Sequence, residues 1–382
     1  MEAVTPQAVP TTRHVAVDRP ASQTQVLEIT SYPPPRTGWG VRVQFLKRYL
    51  EAHGHRCVVL NTGPSRAIPS EEYETVLSGG DFVRKVWRFS RRGFVVHAHA
   101  NGASSKGLAL TTAAMLLNLA TGQRPILTFH AGINQQYFPR PKSPALWPAF
   151  WLIFTLPKAV ICNSEEVKRK IVEYGIRGEK IHPIPAFSRQ YLEADEASLP
   201  PDVEAFYRRF PRVVFCYTKI RPVFYPEVLL EGFARLAAQR SDVGLFLCGV
   251  GGFMEPELWT RVQSRLAQPD LQDRVTLVPD LPHETFLHAL GRAHLCLRTH
   301  VSDGVCSSVM ESLALGVPVV ASENGTRPPG VITYPADDAG ALARTLADAL
   351  DRREEIAASL PRHEIPDTLE QEARVITDRH GC

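Results

Sequence analysis

The run HLCLRTHVSDGVCSSVMESLALGVPVVAS, residues 294–322, decides the fold. Its opening, HLCLRT, and its close, PVVAS, are short apolar or β-branched runs that read as strands. Between them a loop with Asp303, Gly304, Ser307 and Ser308 leads into an apolar helical pattern, broken at Gly316 and Pro318. Two strands joined by a helix-length crossover must lie parallel. Because each strand is continuously apolar rather than alternating, both faces of its sheet are covered.

Outward from this unit the same alternation continues in both directions. The first half holds VLEIT (26–30), CVVL (57–60), FVVHAH (94–99), ILTFH (126–130), AVICNS (159–164) and IHPIP (181–185). The second half holds RVVFCY (212–217), GLFLCG (244–249), RVTLVP (274–279), HLCLRT (294–299), PVVAS (318–322) and VITY (331–334). Helical patterns lie between, the clearest over 41–53, where Val43, Leu46 and Leu50 share one face. The expectation is two doubly wound α/β domains, residues 23–185 and 212–352. Residues 186–211, with EADEASLPPD, read as the linker, 353–382 as a helical tail and 1–22 as a disordered leader. In such sheets ligands bind beyond the carboxyl ends of the strands, so two facing sheets place a site in the cleft between them.

Composition bounds the rest. The chain has 382 residues, 44% hydrophobic and 22% charged, the balance of a soluble globular protein. A formal charge of +3 gives no argument for nucleic acid. The seven cysteines form no C-x-x-C pair, and five sit in or beside apolar strands. That pattern fits buried reduced thiols in a reducing, cytoplasmic compartment, and neither a disulfide framework nor a zinc site. The hydrophobic stretch 144–162 is interrupted by Pro148, Pro157 and Lys158, too short an apolar run to span a bilayer.

Chemistry is sought just after the strands. In SYPPPRTGWGVRVQFL (31–46), Gly38 and Gly40 free the backbone before a helix, so N–H groups can approach a phosphate or sugar. A plain tight turn is the competing reading. The turn is not G-x-G-x-x-G and no acid ends the next strand, which disfavours a nicotinamide enzyme. His130 ends a strand and faces the cleft, where it is either structural or functional. His97 and His99 alternate on one strand, so at most one was expected to point to the cleft. Lys219 and Arg221 lie in a loop before a helix, where they would complement a diphosphate or form an ordinary solvated loop. In the opening segment a helix begins near Ser307 or Ser308, and its positive end suits a diphosphate. Ser307 and Ser308 can cap that helix or bond phosphate oxygens. Glu311, one turn in, suits vicinal ribose hydroxyls, and Asp303 is left to meet a sugar.

These residues resemble the retaining glycosyltransferases with two facing Rossmann-like domains, the GT-B fold of family 4. The family shows an acid, seven residues and a glutamate, followed by EA-A-G-PV-AS; here Asp303 and Glu311 are followed by SLALGVPVVAS. The resemblance extends over roughly 24–350, through RYLEAHGHRCVVL, VVHAH, LTFH, VICNSEEVKRKIVEYG and RVTLVPDLPHETFLHAL. It implies a UDP-sugar or GDP-sugar donor, with the base near Val278 to Leu281, the ribose on Glu311 and the diphosphate on Lys219 and the 304–308 loop. His130 and Asp303 would hold the sugar, without a metal ion. The acceptor would be a glycan or lipid-linked hydroxyl in polysaccharide or glycolipid biosynthesis. There are departures: aspartate replaces the commoner glutamate at 303, and Cys306 a glycine. Lys219 stands at the family's arginine and Phe224 near its lysine, leaving Arg221 or Arg327 as replacements. A sugar-nucleotide 2-epimerase of the same fold, or a lapsed sugar-nucleotide-binding subunit, are the alternatives.

The acceptor side has its own signal. Residues 36–92 carry eleven Lys and Arg against five Asp and Glu, and DFVRKVWRFSRRG (81–93) interleaves aromatics with cations. With Trp147, Phe150, Trp151 and Phe154, these residues were expected either to pack in the core or to form a surface. Such a surface would touch an anionic membrane at its inner face.

Overall fold

The structure is a computed structural model that describes residues 23–33, 38–133, 135–193, 197–251, 254–302, 306–360 and 367–378. All twelve strand signals become strands of two six-stranded, wholly parallel sheets. The first sheet comprises β1 (Gln25–Thr30), β2 (Arg56–Asn61), β3 (Val95–Ala100), β4 (Ile126–Phe129), β5 (Ala159–Cys162) and β6 (Ile181–Pro183). Its helices are α1 (Gly38–Ala52), α2 (Gly79–Ser90), α3 (Ser105–Leu119), α4 (Trp147–Thr155) and α5 (Glu165–Val172). α6 (Pro201–Arg209) then leads to β7 (Arg212–Tyr217), β8 (Val243–Cys248), β9 (Val275–Val278), β10 (Leu295–Arg298), β11 (Val319–Ser322) and β12 (Val331–Tyr334). Their helices are α7 (Pro226–Gln239), α8 (Pro256–Leu266), α9 (His283–Arg292), α10 (Ser307–Ala314) and α11 (Ala339–Asp351). α12 (Arg353–Ser359) and α13 (Thr368–Thr377) follow.

Strand order is β2-β1-β3-β4-β5-β6 in one sheet and β12-β11-β10-β7-β8-β9 in the other. Winding direction reverses between β1 and β3 and again between β7 and β10, which are the places where a doubly wound sheet opens a crevice. Both sheets are sandwiched, as continuous apolar strands require: β8 is buried along its whole length.

Local physics sets the key element ends. α10 stops at Gly316, whose φ of 73° is left-handed, and its N–H and that of Val317 bond back to Leu313 and Ser312 carbonyls. That turn sends the chain straight into β11. α1 begins at Gly38, so Gly38 and Gly40 lie in the first helical turn rather than in a loop before it. Val43, Leu46 and Leu50 are fully buried on the shared face.

Two segments carry packing that the sequence reading did not describe. Within the 186–211 linker, α6 packs Val203, Phe206 and Tyr207 into the core of the second sheet. Gly244 on β8 makes room for it, since a Cβ there would come within 2.6 Å of the Phe210 ring. The tail also divides. α13 returns to the first sheet, where Leu369, Ala373 and Ile376 join Val26, Leu46 and Ile161 in one cluster. Composition alone does not reveal this docking, because α13 carries only one narrow apolar stripe. The leader, 1–22, lies outside the described residues.

Candidate active site

A cavity of about 350 Å³ opens where the strand ends of the two sheets face each other. From the first sheet it is lined by Gly38, Trp39, Asn101, His130, Gln135 and Asn163. From the second come Tyr217, Asp280, Phe286, Arg298, Ser307 and Glu311, among others. Gln135 Nε2 donates to the Ser302 carbonyl at 2.9 Å and so ties the two walls together. At the floor, a Cβ built on Gly38 would stand 3.6 Å from Ser307 Oγ. The N-terminal turns of α1 and α10 therefore meet, and both direct backbone N–H groups and positive helix ends toward one volume.

His130, Gly38, Ser307, Ser308 and Glu311 all line the cavity. Gly40 is buried in α1 and is not part of the lining. Asp303 and Gly304 lie outside the described residues. Neither serine is the N-cap of α10: Cys306 occupies that position without a side-chain cap, and its thiol lies 3.2 Å from Ser308 Oγ. Glu311 is 4% exposed, facing His283 at 4.0 Å. His283 Nε2 in turn donates to the Tyr191 carbonyl at 2.7 Å.

The cations rearrange the expected picture. Lys219 Nζ donates to the Gly249 carbonyl at 2.6 Å and pairs with Asp280 at 3.0 Å, outside the cavity lining. Arg221 is exposed. Arg327 braces its own loop through the Ser322 and His300 carbonyls at 2.9 and 2.6 Å. Among the described residues, Arg298, at the end of β10, lines the cavity, and sequence reading passed over it. It is 7% exposed, its Nη1 donates to the Tyr217 carbonyl at 3.0 Å, and its guanidinium lies over the Phe224 ring. A charge ending an otherwise apolar strand was the available signal. Tyr217 donates its hydroxyl to Asp280, and burial, then that carboxylate, raises its phenol.

The histidines are also placed differently. His97 and His99, two apart on β3, point to the same side, as alternation on a strand requires, with ring centroids 4.4 Å apart. Neither ring lines the cavity, because both turn to Glu28 behind it. Glu28 from β1 accepts from both, at 2.9 Å from His97 Nδ1 and 2.7 Å from His99 Nε2. His99 Nδ1 then lies 2.8 Å from His130 Nε2, and the two rings stack at 12°. Burial opposes charge on Glu28, but the two imidazoles outweigh it and lower its pKa to about 2. Burial, followed by the His99 and His97 rings, holds His130 well below the imidazole range. Among the described residues, Glu28, His97 and His99 bring ligand atoms close enough together to hold a metal ion. In the structure Glu28 accepts a hydrogen bond from each of the two histidines.

The aromatic segment is mostly interior. Phe150 and Phe154 are fully buried, Trp147 packs against the core, and of the four only Trp151 is substantially exposed. The basic, aromatic face belongs instead to α2. Ser78 caps that helix, Phe82, Val86 and Phe89 face inward, and Val83 and Trp87 face out among Arg84 and Arg88. Among the described residues no helix is long and apolar enough to cross a membrane.

Two facing Rossmann-like domains with a phosphate-compatible crevice define the GT-B class. Two family models match this chain: Glycosyltransferase Family 4 over residues 36–187 and Glycosyl transferases group 1 over residues 208–359. The chain belongs to the group 1 glycosyltransferases. Its fold is similar to that of a glycosyltransferase from Rickettsia africae ESF-5, at TM-score 0.69 and 15% identity, covering 93% of this chain and 98% of that one. Anabaena Alr3699/HepE in complex with UDP and glucose gives TM-score 0.66 and 16% identity, over 93% and 100% of the two chains. A stretch of 203 residues is 23% identical to the exodeoxyribonuclease 7 large subunit of Streptococcus pneumoniae, over 52% of this chain. The chain spans only 42% of that relative's length.

Proposed function

We propose that this protein is a retaining hexosyltransferase that moves a sugar from a nucleoside-diphosphate sugar to a hydroxyl of a glycan or lipid-linked acceptor, in polysaccharide or glycolipid assembly. The observation that carries this reading is the meeting of His130, Gly38, Arg298, Ser307 and Glu311 around one cavity, with two helix N-termini directed into it. The fold neighbour HepE holds UDP, glucose and UDP-glucose, which supports a sugar nucleotide, UDP- or GDP-linked, as the donor class.

In this reading Glu311 accepts from the ribose hydroxyls and the base rests near Leu281 and Phe286. The α10 N-terminus with Ser307, Ser308 and Gly304, the α1 turn and Arg298 surround the diphosphate. Lys219 acts at second hand, by holding Asp280 and the 249 turn. His130 and Asp303 hold the transferred sugar. The bond between the anomeric carbon and the β-phosphate oxygen breaks as the acceptor oxygen attacks from the same face, and the acceptor proton passes to the departing phosphate. Preorganised positive groups stabilise the charge that develops on the leaving diphosphate, so the step needs no metal ion. The cleft walls supply proximity.

We also propose that α2 touches an anionic membrane surface at the cytoplasmic face, bringing the cleft to a lipid-linked acceptor. Outward Trp87 and Val83 flanked by arginines are the interfacial composition.

A panel of UDP- and GDP-sugars, scored by thermal stabilisation and then by nucleoside diphosphate release, tests the assignment. Stabilisation by one donor with slow release in water, and retention at the new linkage by NMR, is the expected result. Stabilisation without release would leave a binding subunit, and a product that is still a sugar nucleotide would mark an epimerase.

A further inference from the structure

Behind His130 runs a buried chain of alternating charge that reaches the C-terminal helix. Arg42 of α1 donates through Nε to Glu372 at 2.6 Å, and through its two other nitrogens to the Thr368 hydroxyl and carbonyl, each at 2.8 Å. Glu372 Oε1 accepts from Thr128 Oγ1 at 3.3 Å, and that hydroxyl lies 2.7 Å from His97 Nε2. His97 leads to Glu28, Glu28 to His99, and His99 to His130. Arg42, Glu28, His97 and Glu372 are all 1% exposed or less.

The hydrogen-bond arithmetic leaves little freedom. An ionised Glu28 only accepts, so both rings must donate to it, His97 from Nδ1 and His99 from Nε2. Burial opposes charge on His97, yet Glu28 and Glu372 outweigh it and favour the cation, whose Nε2–H then serves Thr128. A second cation at His99 would face His97 across 4.4 Å in a dry interior and would have to share the one charge of Glu28 with it. Burial, then His97, keeps His99 neutral. Neutral His99 with its proton on Nε2 has only a lone pair on Nδ1. His130 must therefore donate from Nε2.

We propose that Glu28, His97 and His99, anchored by Glu372 from α13, act as positioning residues that hold His130 in one orientation and one tautomer. The proton sits on Nε2, and the bare Nδ1 is left to accept a hydrogen bond in the cavity. The inference rests on the proposed function only in naming the donor sugar's hydroxyl as the group that Nδ1 meets. Trp39, edge-on to His130 with ring centroids 5.1 Å apart, closes one side of the ring. Among the described residues, the charged or titratable groups on the opposite cavity wall are Arg298, His283, His300, Asp280, Glu311, Tyr217 and Cys306. The reach is long in sequence: Glu28 and Glu372 flank almost the whole described chain, and no residue pattern along it links them.

The test is ring-nitrogen NMR on the full-length protein labelled with ¹⁵N-histidine, His130 signals being assigned by their loss in His130→Gln. The expected spectrum shows His130 protonated on Nε2 and bare on Nδ1. A Glu28→Gln change offers one amide oxygen to two donating rings, so at least one ring must turn over. His130 should then gain Nδ1–H character, and kcat should fall roughly 10- to 100-fold while nucleoside diphosphate affinity stays within about twofold. Glu28→Asp, which keeps the charge, should recover part of the loss. Nδ1–H in the unaltered protein, or unchanged His130 signals and kcat in Glu28→Gln, would each overturn the proposal. The spectrum needs no turnover, so it decides the chain even if sugar transfer itself is not found. It also decides on the unaltered protein should Glu28→Gln not fold.

Discussion

The Arg298 guanidinium lies 5.2 Å from the centre of the Phe224 ring. Phe224 lies in the turn before α7, so a cation from β10 rests over the loop that follows β7. The ring also meets His300 edge-on at 4.4 Å, which fixes it as a platform. Lys219, the cation that matched the family pattern, is instead held by Asp280 and the Gly249 carbonyl.

This pairing separates two variants. Arg298→Gln should weaken nucleoside diphosphate binding by about 1.5–3 kcal/mol, the worth of hydrogen bonds to a charged group. Lys219→Gln should mainly lower thermal stability, because it leaves Asp280 half-buried and less well paired. Calorimetry and melting curves on both variants would check the contrast. Equal losses of affinity would return Lys219 to the diphosphate.

Glu311→Ala should weaken the same ligand by about 1–3 kcal/mol through lost ribose hydrogen bonds. The helix that carries it should survive, since α10 is closed by Gly316 and by Ser312, whose hydroxyl donates to the Val317 carbonyl at 3.1 Å. Titration with a nucleoside diphosphate and with the bare diphosphate distinguishes the roles. Only the former should lose affinity.

Stability should fall on the acid side in two stages. His99 and His130 are kept neutral in the fold, whereas the unfolded chain protonates them below 6.5, so stability declines as pH drops through that value. Glu28 is depressed from 4.5 to about 2, so its contribution is complete above 4.5 and is lost as pH falls toward 2. His97 has a raised pKa; its share is complete below 6.5 and is lost as pH rises through its folded value. Urea unfolding at a series of pH values would show this, and Glu28→Gln should flatten the limb below 4.5.

Co-sedimentation with anionic liposomes addresses α2. Reversing Arg84 and Arg88 to glutamate should weaken binding by roughly 1 kcal/mol or more per residue at low salt, and the difference should shrink as salt rises. Trp87→Ala should weaken it in a salt-independent way. A protein that remains in the supernatant at low salt has no such surface.

Local chemistry along the chain was sufficient for the layers and the crevice. Continuous apolar strands separated by helix-length crossovers admit only parallel sheets covered on both faces, and strand ends with glycines, serines and an acid mark where a polar ligand meets backbone N–H groups. Gly38, His130, Ser307, Ser308 and Glu311 were legible for that reason: His130 directly follows β4, and the others lie in the turn and first helical turns that follow β1 and β10. What tertiary structure alone decided is how charge is distributed among partners distant in sequence. Lys219 is neutralised by Asp280, 61 residues away, and Arg298 settles over Phe224, 74 positions earlier in the chain. Glu372 reaches Arg42 across 330 residues because α13 folds back on the first sheet. Strand periodicity can say that His97 and His99 share a face. It cannot say that Glu28 waits on the neighbouring strand, because sheet order and register are set by the packing of whole domains rather than by any local run.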